Sequence, residues 1–129
     1  RTKCILANPS PEDWKRISVM SRHTLSDGKT PDSRITPDSF DMHLVWLAPR
    51  PKLVWAYYRE EISWKWYQRE FLAFLNENPQ LKLLREIISL ALVENMTLLC
   101  IEPSPEKCHR RLIAQKCLEL GKNLQINIE

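Results

Sequence analysis

Five consecutive residues, Thr97-Leu98-Leu99-Cys100-Ile101, carry no charge and show no alternation of apolar with polar side chains. A strand with one face in water alternates, whereas an unbroken run like this is expected where both faces are covered, as in the middle of a parallel sheet. Parallel neighbours require crossovers of a dozen or more residues, normally helical. The rest of the chain therefore has to supply helices.

It does so with clear signals. Ser63 can cap a helix in which Trp64, Tyr67, Phe71 and Phe74 recur at helical spacing. Asn78-Pro79 opens a second helix by the cap-plus-proline pattern, with Leu81, Leu84, Ile88 and Ala91 as its stripe and Asn95 as a left-handed stop. Ser104-Pro105 is read as the start of a third, whose Leu112, Ile113, Cys117 and Leu120 form the buried face and which Gly121 ends. Strands are predicted at residues 3–7 and 15–20, and a last one at 124–128 alternates Leu, Ile and Ile with Gln, Asn and Glu. The order implies an α/β fold: a small three-layer domain with a mainly parallel sheet and flanking helices, ending in a right-handed strand-helix-strand unit. At 129 residues, one domain over 1–129 can bury a core without disulfides or metal.

Composition narrows the setting. Hydrophobic residues at 43% and charged residues at 27% exclude a disordered or fibrous chain. No stretch approaches the roughly 20 apolar residues that span a bilayer, and no basic-then-apolar leader precedes the fold. A cytoplasmic protein with no membrane partner is the expectation, and a start at Arg1 suggests that a few residues have been trimmed. The net charge of +3 is spread along the chain, a weak pull toward polyanions. Cys4, Cys100, Cys108 and Cys117 have no framework spacing and are expected as free thiols.

In open α/β sheets, ligands bind beyond the carboxyl ends of the strands. Two polar segments leave predicted strands there: Ser21-Arg22-His23-Thr24, and the stretch from Cys100 through Glu102 to Cys108-His109-Arg110. The first opens a long loop, 21–41, in which Gly28 marks a turn needing positive φ. If the two strands are neighbours, both segments share one crevice. Cys108 near a helix start, beside His109 and Arg110, is a candidate nucleophilic or redox thiol, with a packed cysteine as the plain alternative. Glu102 can serve as acid or base, or can pair internally with Arg110 or Arg22. Arg110 with free N–H groups suits an anion, while His109, Arg22 and His23 can orient a ligand or simply bond the backbone. Cys100 ends an apolar strand, and packing explains it better than chemistry does.

These motifs resemble the domain-of-unknown-function 488 family: Ser21-Arg22-His23-Thr24 with Asp27-Gly28, Leu47-Ala48-Pro49, then Cys100-x-Glu102 and Cys108-His109-Arg110. The resemblance runs from about Ile17 to the end. It implies a small α/β protein of microbial type, whose motif residues match Cys100, Glu102, Cys108, His109 and Arg110, and it supplies no substrate.

Sharper assignments fail on spacing. Zinc could draw on Cys100, Cys108, His109 and His23, but no Cys-x-x-Cys knuckle is present and adjacent residues diverge on a helix, so no metal is expected. A cysteine-phosphatase loop needs Arg where Glu106 stands, and Pro103 and Pro105 remove N–H donors. Phosphate and dinucleotide loops need glycines that this chain lacks, and no cofactor can be assigned. The aromatic and basic stretch from Trp46 to Arg69 could stack nucleic-acid bases, but a helix burying Trp64, Tyr67, Phe71 and Phe74 accounts for most of it. Surplus aromatics would line the crevice or form a homodimer contact. The leading expectation is a small enzyme using Cys108, Glu102, His109 and Cys100 on a small polar or anionic ligand, nucleotides included, held by Arg110, Ser21, Arg22 and His23. The rival is a non-catalytic ligand-binding or sensing module in the same crevice.

Overall fold

The computed structural model describes residues 1–129. Four strands, β1 (Thr2–Cys4), β2 (Lys15–Ser18), β3 (Met42–His43) and β4 (Met96–Cys100), form one sheet in the order β1-β4-β2-β3. All three pairings are parallel, and Ile17 lies opposite Leu98 in the central pair. Every residue of β4 is buried, as its lack of alternation requires. Four helices follow the first three strands or the last: α1 (Pro51–Tyr58), α2 (Trp64–Leu75), α3 (Asn78–Ala91) and α4 (His109–Leu120).

Successive residues of β4 serve different cores. Met96 and Leu98, with Ile17 and Val19, pack into the main cluster against Tyr67, Phe71 and Leu75 of α2, Leu84 and Ile88 of α3, and Leu112 and Ile113 of α4. Leu99 joins Ile5 and Met20 in a smaller cluster covered by Ile35 and Phe40 of the 21–41 loop. The layers are thus helices, sheet and a loop layer, the last pinned by Arg16, whose Nε donates to the Ser39 carbonyl at 2.9 Å. No helix is long and apolar enough to cross a membrane.

Several boundaries differ from expectation. The helix predicted at Ser104-Pro105 begins only at His109, with Cys108 as an extended N-cap (φ −140°, ψ 137°). Prolines 103 and 105 bias the residues before them away from helix. The Glu102 and Pro103 carbonyls accept from Arg110, and those of Pro105 and Glu106 accept from Arg111. Asn95 is not left-handed, because α3 ends on right-handed turns in which the Val93 and Glu94 N–H groups both donate to the Leu90 carbonyl. The predicted strand at 124–128 contributes a single parallel bridge, Ile128 to Thr2, on the free edge of the three-residue β1. Unforeseen are the two-residue β3 and the start of α1 at Pro51, which sits at the first helical position. Gly28 has the expected positive φ, 72°.

Candidate functional site

Because β2 and β4 are adjacent and parallel, the segments leaving them emerge on the same side. Between them and α1 and α2 lies a cavity of about 450 Å³. Its floor includes Cys100, Cys108 and His109, its rim Ser21, Arg22, Thr24, Glu102 and Lys107, and its wall Trp55, Tyr57, Tyr58, Trp64 and Tyr67. Six of the eight residues singled out from sequence meet here: Ser21, Arg22, Cys100, Glu102, Cys108 and His109.

The other two lie elsewhere. Arg110 is fully buried, and its guanidinium donates to the main-chain oxygens of Glu102 (2.6 Å) and Glu129 (3.0 and 3.2 Å) and to Cys108 Sγ (3.3 Å). It clamps the turn under the site, without reaching the cavity. His23 turns into the loop layer, where its Nε2 lies 2.7 Å from Ser18 Oγ and its ring packs on His43 (4.3 Å) and Phe40 (4.6 Å). Ser21 reaches the cavity edge with its hydroxyl donated to the Pro49 carbonyl.

Glu102 does not pair with Arg110 or Arg22 through its carboxylate. The Tyr58 hydroxyl donates to Glu102 Oε1 at 2.9 Å, joining α1 to the end of β4. Burial, and then the Glu102 charge, raise the Tyr58 pKa far above its ordinary value, so the phenol stays a donor. Burial likewise pushes the Cys108 thiol well above the usual cysteine range, and the neighbouring Cys100 thiol pushes it further; His109 and Arg110 oppose this without prevailing. Burial thus outweighs the helix start and neighbouring cations that were expected to activate this thiol.

His109 is oriented from two sides. Its Nε2 sits 2.6 Å from the Val19 carbonyl, which can only accept, so Nε2 carries a hydrogen and, in the neutral ring, the lone pair falls to Nδ1. Nδ1 lies 3.8 Å from Cys100 Sγ, and the ring meets Phe71 edge-on at 5.7 Å. The ligand atoms of Cys100, Cys108 and His109 all lie within 4.8 Å of one another. Adjacency in sequence does not separate Cys108 from His109 because only the second is helical.

The charges at the rim are unequal. Arg34 is engaged by Asp32 through two contacts, Nε–Oδ1 at 2.9 Å and Nη2–Oδ2 at 2.7 Å. Arg22 bonds only the Gly28 carbonyl, at 3.1 Å, and Lys107 has no protein partner. Thr24 Oγ1 is buried without a hydrogen bond. Sequence reasoning placed the aromatic residues mainly in the core, with the surplus lining the crevice or meeting a second copy, and five of them do line the cavity. Tyr57 packs on Trp64 and Tyr67 at 5.7 and 5.3 Å, so one cluster serves both core and cavity. Trp46 and Trp66 remain exposed, Trp66 beneath the Arg69 guanidinium.

A parallel sheet with helices and a cavity at the carboxyl ends of its central strands defines a small α/β domain. Within that class, the chain belongs to the Active DUF488-N3 subclade, whose family model matches residues 1–121. No curated protein and no solved structure matches the chain.

Proposed function

We propose that the cavity binds a small polar or anionic molecule carrying a planar ring, a nucleotide by class, and that Glu102 acts on it as a proton acceptor. The observation that carries this reading is the meeting, in one cavity, of an aromatic wall with the two polar segments that leave β2 and β4. Its volume falls within the roughly 300–1,000 Å³ usual for small-molecule sites. Tyr57, Trp64 and Trp55 offer faces for stacking, while Arg22 and Lys107 are cations with no carboxylate partner, suited to an anionic group. Tyr58 fixes one oxygen of Glu102, leaving the other for a ligand hydroxyl or ring N–H.

One observation favours a binding module instead: the Cys108 thiol is buried, and burial pushes its pKa up, the opposite of an activated nucleophile. The two readings separate in one experiment. Nucleoside mono- and diphosphates are titrated while tryptophan emission is followed, and the mixtures are then chromatographed for product. Binding is expected to quench emission, to weaken with salt, and to weaken about tenfold in Arg22→Ala. Turnover that Glu102→Gln abolishes, with binding kept within a few-fold, supports the enzyme. Saturable binding without product supports the module. A panel that leaves emission unchanged overturns the ligand class.

A further inference from the structure

We propose that Cys100, Cys108 and His109 form a three-ligand site for a thiophilic divalent cation, zinc by preference, with a fourth coordination position open to the cavity. Three independent features point to it. The first is distance. Tetrahedral zinc with bonds of about 2.3 Å to sulfur and 2.0–2.1 Å to nitrogen sets its ligand atoms about 3.5–3.8 Å apart. Cys100 Sγ and His109 Nδ1 already stand at 3.8 Å, and no pair in the trio exceeds 4.8 Å, so binding needs contraction of about 1 Å at most.

The second is the imidazole. A histidine ligand usually donates its other N–H to a carbonyl or carboxylate, which fixes the tautomer and aims the free nitrogen. His109 meets that condition: its Nε2 is held by the Val19 carbonyl, and in the neutral ring the Nδ1 lone pair faces Cys100 Sγ. The third is charge and access. Two thiolates would balance a dication, and the Arg110 guanidinium, 3.3 Å from Cys108 Sγ, is placed to donate to one of them. All three ligand residues border the cavity, so the fourth position faces the space that Tyr58 and Glu102 also line. Structural zinc sites close with four protein ligands, whereas three ligands and an open position are the arrangement of a reactive site.

The proposal does not depend on the ligand reading above, because metal uptake is measured with no organic molecule present. The full chain, reduced and freed of metal by chelation, is titrated with Zn2+ against a chromophoric chelator and separately with Co2+. One equivalent of Zn2+ is expected to bind. Co2+ should give the near-ultraviolet thiolate charge-transfer band and the intense visible bands of a tetrahedral thiolate site. Affinity should fall about 100-fold or more in Cys100→Ser and Cys108→Ser and at least tenfold in His109→Asn, while Cys117→Ser, a buried cysteine outside the trio, should bind as the parent does. Far-ultraviolet circular dichroism checks that each variant is folded, and the Co2+ spectrum of the parent needs no variant. A folded, fully reduced parent that takes up no metal overturns the site. So does uptake that survives in the Cys100→Ser, Cys108→Ser double variant, or a Co2+ spectrum without thiolate character.

Discussion

Arg110 carries more of the site's architecture than any other single side chain, although it lines no part of the cavity. Its charge is fully buried, and no carboxylate side chain pairs with it. The cost of desolvating it is met by backbone oxygens: Glu102 at 2.6 Å, Pro103 at 3.5 Å and Glu129 at 3.0 and 3.2 Å. This is a use of guanidinium geometry, since several donors in a fixed plane reach carbonyls on two separate segments. A lysine ammonium carries the same charge on three donors around one atom and cannot span them. Arg110→Lys is therefore expected to destabilise the fold by about 2–4 kcal/mol, read as a lower urea midpoint. An unchanged midpoint would remove the clamp from the account. In sequence, Arg110 was read as an anion contact, and Cys108 as either a reactive thiol or a packed cysteine, because the Cys-His-Arg triplet is polar and follows a strand. Their burial depends on residues 101–108 folding back irregularly, which the triplet itself does not encode.

Among the elements, those with strong periodicity or a cap were legible: α2 from Ser63, whose hydroxyl accepts from the Trp66 N–H, α3 from its proline at the first turn, and β4 from its unbroken apolar run. α1 was legible only as helix signals from Leu53 onward, without bounds, because it has no fully buried residue and its aromatic side chains are shared between core and cavity. The start of α4 was placed too early because a Ser-Pro signal competes with guanidinium contacts from residues further along. That error hid the convergence of Cys108 with His109. The 21–41 loop was recognised, and its turn at Gly28 does more than reverse the chain: a Cβ there would lie 2.6 Å from Cζ2 of Trp55, in the cavity wall. Gly28→Ala would add the cost of a left-handed L-residue to displacement of that ring. The expected loss is about 1–3 kcal/mol of stability, with a shift in tryptophan emission as Trp55 moves. Unchanged emission and stability would mean that the turn and the wall are not in contact in solution.

Across the whole molecule, the cavity is matched by an ionic cluster built around Asp13, two residues before β2. Asp13 is fully buried and receives Lys3 (3.1 Å), Arg1 (3.2 Å), Arg16 (2.5 Å) and the Ser10 N–H (3.1 Å). Burial would raise its pKa, but the Ser10, Lys3 and Arg16 hydrogen bonds outweigh that and hold it well below the usual carboxylate range. On the loop-layer side, His23 is affected in the same direction for another reason: burial first, and then the neighbouring His43, lower its pKa from 6.5 to about 4. Both shifts make the unfolded chain bind more protons than the folded one, so both make stability fall with acid, in different windows. The His23 contribution is whole above pH 6.5 and is lost as pH drops to about 4. For a half-buried ring screened by solvent it amounts to roughly 1–2 kcal/mol. The Asp13 contribution is whole above the ordinary aspartate pKa of about 3.9 and declines only below it. Urea midpoints measured from pH 8 to pH 3 should therefore fall in two stages. His23→Gln should flatten the first stage, and Asp13→Asn should lower the whole curve by about 3–5 kcal/mol, because it leaves buried cations without their partner. A parent curve that stays level between pH 6.5 and pH 4 would show that His23 is free to protonate in the folded state, and that the loop layer does not seal it.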